Sequence, residues 1–225
     1  PRARMLRLRH FDSTCDMNKF ECINTFLKTI KCDNVRLSIR CYQHCLKKLI
    51  NMIVDNGHIR ENSRVLLSLF TYAPEIENPN ETRNILMHLP RMFSIKLSWS
   101  SSRNASYKSR YVIDDMLLLN FMSKANHVEL KQTECTAQGI LDAFEIVGNS
   151  VGYKFVMLEV LESSIINLFD ITNLGYAKGV NKFKRRFVYD DLRRTLLLAE
   201  IVDDHSYKWI KIGKLGDDGH IECIL

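Results

Sequence analysis

The chain has 225 residues, 46% of them hydrophobic and 26% charged, with nine glycines, four prolines and a net charge of +6. This is ordinary globular composition over a length that can bury a sizeable core, which excludes a disordered, low-complexity or collagen-like chain. No apolar run reaches the roughly 18 residues of a membrane span, so no membrane partner is expected.

The first segment, Met5 to Phe11, alternates apolar and basic residues and predicts a strand. Asp12, Ser13 and Thr14 are cap candidates for a helix over 17–31, which places Phe20, Ile23, Phe26, Leu27 and Ile30 at helical spacing. Val35 to Val54 is read as a second helix, ended by Asn56-Gly57. Arg64 to Tyr72 predicts a strand. Pro74 to Pro79 is an acidic turn, and 84–89 and 92–99 are extended segments broken at Pro90. A polar loop over 98–109 leads to Tyr111–Asn120, an apolar run read as a strand. A long connection, about 121–138, is read as an inserted loop. A crossover helix over 139–148 then joins a strand at 153–160, and the two flanking strands are expected to be parallel. A helix over 163–174 closes on Gly175. Antiparallel strands follow at 195–202 and 207–215, giving a C-terminal β extension over about 203–225. No internal sequence repeat is visible. The whole is expected to be one mixed α/β domain.

Seven cysteines are an odd number, and five of them fall in the first 45 residues without a Cys-x-x-Cys pair. The expectation is reduced thiols in an intracellular, reducing compartment. The basic start lacks the apolar core of a secretory signal. Cys41 and Cys45, read as one helical turn apart with His44 beside them, match no zinc signature, so no metal is assigned.

Several phrases within 111–176 belong together. Ile113-Asp114 sits in the strand-like run. Gly152-Tyr-Lys-Phe-Val-Met-Leu-Glu-Val160 has an alternating apolar pattern. Leu174-Gly175-Tyr176 ends the later helix. With the element order over residues 5–202, these resemble the GNAT superfamily of N-acetyltransferases. The resemblance implies a GNAT-like mixed sheet with two N-terminal helices, and acetyl-CoA as cofactor. The pantetheine arm would pair with the backbone of the central strand near Leu117 and Leu119, by strand addition. The pyrophosphate would lie on Thr136, Gln138, Gly139 and Ile140 at a helix start. Asp114 or Asp115 would deprotonate an amine on a protein or small molecule. The sequence departs from the family pattern at three points. Leu141 stands where a second glycine is usual, Ile171 stands where a thiolate-protonating tyrosine is usual, and the connection over 121–138 is long.

Other candidates are weaker. Glu159 in a strand and His127 in the expected loop are titratable groups near the site. Lys182, Lys184, Arg185 and Arg186, interleaved with Phe183 and Phe187, form a basic face for an acidic partner or nucleic acid, joined by Arg2, Arg4, Arg7 and Arg9. Two functions remain open: an acyl-CoA-dependent N-acyltransferase, or a non-catalytic module of the same fold that binds protein or nucleic acid or serves as a structural subunit.

Overall fold

The computed structural model describes residues 2–3, 6–13, 17–29, 31–32, 35–42, 45–56, 63–71, 78–101, 113–161, 163–164, 167–168, 184–190, 195–202 and 208–214. The chain is mixed α/β, and its contacts divide it into two compact units, Pro1–Val112 and Ile113–Leu225.

In the first unit a minor pair, β1 (Arg2–Ala3) and β3 (Lys31–Cys32), is parallel. The main sheet contains β2 (Leu6–Ser13), β4 (Val35–Tyr42), β5 (Arg64–Thr71) and β6 (Met92–Ser101), all parallel and adjacent in chain order. Helices α1 (Met17–Thr29), α2 (Leu46–Asp55) and α3 (Pro79–Leu86) connect them. The strands begin at residues 6, 35, 64 and 92, so successive starts are 29, 29 and 28 residues apart. This is a regular β-α spacing of elements that leaves no matching residue pattern in the sequence.

Each pair of parallel neighbours needs a crossover connection, which the helices supply. One face of the sheet is apolar: Val35, Leu37, Val65, Ile95 and Leu97 are all buried. Helix α2 supplies Leu46, Leu49, Ile50 and Ile53 to the same core and packs on β4 and α3. Alternate residues, Arg36, Ser38, Arg64, Lys96 and Ser98, are only half-buried, and Leu66 is 36% exposed. The strands therefore read in period two, unlike the continuous apolar runs of sheets covered on both faces.

Two expectations fail in this unit. The second helix was expected to begin at Val35, but 35–42 is a strand. Val35-Arg-Leu-Ser38 alternates with period two, and only from Leu46 does the spacing become helical. Cys41 and Cys45 therefore do not share a helix turn. Cys45, at the head of α2, is disulfide-bonded, whereas Cys22 and Cys135 carry free thiols; reduced thiols throughout were expected. The region 84–89 was expected to be extended, yet 79–86 is helical. Asn78 caps α3 by accepting the Glu81 N–H at 3.0 Å, and Pro79 fills the first turn where no N–H is needed. Helix α1 lies where expected, although Phe26 is 40% exposed rather than in the core.

In the second unit the strand order is β7 (Ala125–Leu130), β8 (Phe155–Val160), β11 (Lys208–Lys214), β10 (Thr195–Val202) and β9 (Lys184–Asp190). β7 and β8 are parallel, and the remaining pairs are antiparallel, as the C-terminal reading expected. Helix α5 (Ala137–Asn149) is the crossover between β7 and β8, and helix α4 (Asp115–Lys124) packs on α5 and β7. β7 and β8 begin 30 residues apart, close to the spacing in the first unit. The core is built from Leu117, Leu118, Phe121, Val128, Ile140, Phe144, Val156, Leu158, Ile210 and Ile212.

The expected central strand over 111–120 is instead helix α4 from Asp115, and the expected loop over 121–138 contains β7. The apolar residues Leu117, Leu118, Phe121 and Met122 are i, i+1, i+4 and i+5, a helical stripe, and all four are buried. Two lysines close helix ends. The Lys154 ammonium donates to the Met122 carbonyl in the last turn of α4, and Lys214 Nζ donates to the Gly148 carbonyl of α5 at 2.8 Å. The expected helix over 163–174 lies largely outside the described residues, as do Ile171 and the end of the C-terminal extension, 215–225. No helix among the described residues is long and apolar enough to cross a membrane.

Candidate functional site

The candidate residues cluster where α4 begins, beside the start of α5. Asp114 has extended backbone geometry at the N-cap of α4, and its Oδ1 accepts the Leu117 N–H at 3.0 Å. An aspartate here satisfies one of the unpaired first-turn donors. Asp115, the first helical residue, turns its carboxylate to α5. Oδ1 accepts the Thr136 N–H at 2.8 Å and Oδ2 accepts the Thr136 hydroxyl at 2.6 Å. Thr136 is itself the N-cap of α5, and its Oγ1 accepts the Gly139 N–H at 3.2 Å.

The glycine has a steric cause. A Cβ at Gly139 would lie 2.0 Å from Asp115 Oδ1 and 2.2 Å from its Cγ. Gly139 thus admits a carboxylate of the same chain to the start of α5. The positive end of the helix dipole, the place a phosphate would take, holds Asp115.

The other expected cofactor contacts fall elsewhere. Leu117 and Ile140 are fully buried in the core, and Leu119 is half-buried on α4. Leu117 and Leu119 lie in a helix whose backbone bonds run along its own axis; Leu118 N–H, for example, donates to Asp114 O at 2.9 Å. They offer no strand edge. Gln138 is exposed and donates to Asp142 Oδ1 at 2.8 Å.

β7 and β8 stay in register from His127–Phe155 to Leu130–Leu158. Beyond β7, both the N–H and the hydroxyl of Thr133 donate to Glu159 O at 2.9 Å. The backbone edge at the end of β8 is thus used by the chain itself. Glu159 is buried within β8.

His127, expected in a solvated loop, is a buried residue of β7 at 3% exposure. Its Nδ1 lies 3.1 Å from the Tyr153 hydroxyl, and its ring centroid is 4.9 Å from that of Phe155.

Several ionisable groups of this unit are perturbed. Burial, with the nearby Asp114 charge, raises the Glu134 carboxyl above its usual range. Burial pushes the Cys135 thiol up to about 12, against a lowering hydrogen bond from Thr133. That thiol stays protonated near neutrality and is a poor nucleophile. Burial lowers Lys154.

Sequence reasoning missed the Asp115–Thr136 link. Its signal was present: two aspartates directly before an apolar helical stripe form a helix start. Of the expected basic face, Lys184, Arg185 and Arg186 open β9, paired in register with Val202, Ile201 and Glu200 of β10. Lys182 and the side chains of those three residues lie outside the described residues. Among the described residues no cluster of three His, Cys, Asp or Glu could hold a metal ion.

No protein-family model matches the chain, and no curated protein or solved structure is significantly similar to it.

Proposed function

We propose that this chain is a non-catalytic binding module of stacked β-α units. The observation that carries the reading is the Asp115 carboxylate at the start of α5, bound by Thr136 N–H and hydroxyl at 2.8 and 2.6 Å. A pyrophosphate brought to the same helix start would meet a fixed negative charge, and like charges in a shared site repel. Asp114 and Asp115 both act as helix-start acceptors, so neither is poised over a groove as a general base. The consecutive parallel order of the first unit favours the same reading. Stacked β-α units cover one sheet face with helices and leave the other as a continuous surface, which repeat proteins use for binding.

An acyl-CoA-dependent N-acyltransferase is the second reading. It is favoured by the parallel β7–α5–β8 crossover, where the resemblance to N-acetyltransferases requires one.

The deciding experiment is a thermal melt of the protein titrated with acetyl-CoA. A ligand at a hundredfold excess over its Kd stabilises by about 2.7 kcal/mol. The binding-module reading expects no shift at millimolar acetyl-CoA. A rise of several degrees that disappears in Gly139→Asp would replace it with the acyltransferase reading.

A further inference from the structure

We propose that Asn56 is a site of spontaneous deamidation, and that its conversion loosens the first unit. Asn56 is the only asparagine of the chain that is followed by glycine. Glycine has no side chain to obstruct attack by its own backbone nitrogen. Asn56 lies past Asp55, the last residue of α2, and its backbone is not helical, with φ −93° and ψ 87°. Its side chain is 2% exposed, and neither Oδ1 nor Nδ2 has a hydrogen-bond partner among the described residues. Buried amides are normally held by such bonds. Without them, no hydrogen bond resists rotation of the Asn56 amide carbon toward the Gly57 nitrogen. Asn24 and Asn120 also have a buried Oδ1 without a partner among the described residues, but each lies within a helix and precedes a larger residue, Thr25 and Phe121.

The step is complete with the chain and water alone. The Gly57 nitrogen forms a bond to Asn56 Cγ and gives up its proton. The Cγ–Nδ2 bond breaks, and Nδ2 takes that proton and leaves as ammonia. The product is a cyclic imide, a succinimide. Water then opens the ring at either carbonyl, which gives aspartate or isoaspartate. No oxidant or reductant takes part. Water reaches the ring through local opening at the helix end, which is far less costly than global unfolding.

Both products conflict with the place they occupy. A carboxylate replaces an amide in a buried site, and an unpaired buried charge is strongly disfavoured. It also stands at the negative end of the α2 dipole, next in sequence to the Asp55 carboxylate. Met52 and Ile53, in the last turn of α2, are buried, so a shift of that turn disturbs the core. Isoaspartate in addition routes the main chain through the side-chain carbons, which lengthens the connection from α2 to β5. The first unit thus carries one residue at which it ages chemically, independently of what the module binds.

The test incubates the full chain in warm, mildly alkaline buffer and maps its peptides by mass spectrometry at intervals. Amide-to-acid conversion is expected at position 56 several-fold faster than at any other asparagine, with isoaspartate detected there by methyltransferase labelling. Gly57→Ala, with folding confirmed by its melt, is expected to slow the conversion several-fold. The converted protein, separated by ion exchange, and Asn56→Asp are each expected to melt several degrees below the native protein. Asn56→Leu, of similar size and uncharged, is expected to melt at or above it, because it removes an unsatisfied amide. Retention of the amide at position 56 while other asparagines convert would overturn the proposal. Conversion confined to the urea-unfolded chain would also overturn it, as would an Asn56→Asp melt equal to that of the native protein.

Discussion

Asp115 on α4 and Gly139 on α5 define one another. The carboxylate lies so close to the Gly139 backbone that a Cβ there would sit 2.0 Å from Asp115 Oδ1. Thr136 completes the joint by donating both its N–H and its hydroxyl to the same carboxylate. One acid thus fixes the start of a helix far from it in sequence.

Gly139→Ala should therefore destabilise the protein. Alanine in a helix normally gains about 1 kcal/mol over glycine. Here the new methyl must expel Asp115 from its bonds with Thr136, a loss of about 1–3 kcal/mol. The net expectation is a destabilisation of up to about 2 kcal/mol in urea unfolding. In an Asp115→Ala background the obstacle is gone, and Gly139→Ala should become neutral or stabilising. If the two substitutions were additive, the contact would have no energetic meaning.

Glu134 gives a pH-dependent prediction. Its carboxyl is raised by burial and by Asp114, so the folded state holds that proton more tightly than the unfolded chain does. The ionised form opposes folding, and its cost appears as pH rises through the shifted value. Glu134→Gln should therefore melt above the native protein at pH 7, and the gap should close as pH falls below the ordinary value of 4.5. A gap independent of pH would assign the effect to something other than charge.

Lys154 works in the opposite direction. Burial lowers its ammonium, so the unfolded chain binds that proton more tightly. Its charging cost is fully present below the lowered value and fades as pH rises toward the ordinary 10.5. Lys154→Met removes this cost together with the bond to the Met122 carbonyl. Relative to Lys154→Met, the native protein should gain stability between neutral pH and about 10. Urea midpoints of both proteins across that range measure the difference.

His127 is packed rather than displayed. His127→Ala should cost about 3 kcal/mol, in the range of buried large-to-small substitutions. His127→Phe should cost clearly less, because the ring contact with Phe155 survives. A surface-like cost below about 0.5 kcal/mol for the alanine would contradict the burial.

Much of the fold was legible in the residues. The strands at β2, β5, β6, β8, β10 and β11 and the helices α1 and α5 follow directly from apolar period. These segments are short apolar runs, alternating strands or helices with a three-to-four spacing. Val35–Val54 was misread because it contains both periods in succession, with a strand's alternation giving way to a helical stripe. The segment 113–130 was misread for a related reason. Asp114-Asp115 looks like an interruption in an apolar strand, yet a helix needs acceptors at that point.

The sequence by itself determined composition, mixed α/β class and most element types, since each depends on the spacing of a few neighbouring side chains. Tertiary structure alone decided three further points. The 28–30-residue β-α repeat appears only in the order in which strands pair, because stacking asks for an apolar residue at alternate positions and not for a particular one. The role of Gly139 depends on Asp115, which lies 24 positions earlier and meets it only when α4 packs on α5. The neighbourhood of Arg36 and Arg64 exists only because parallel register places their strands side by side. Each depends on contacts between residues distant in the chain, and local spacing carries no record of which strand or helix will become a neighbour.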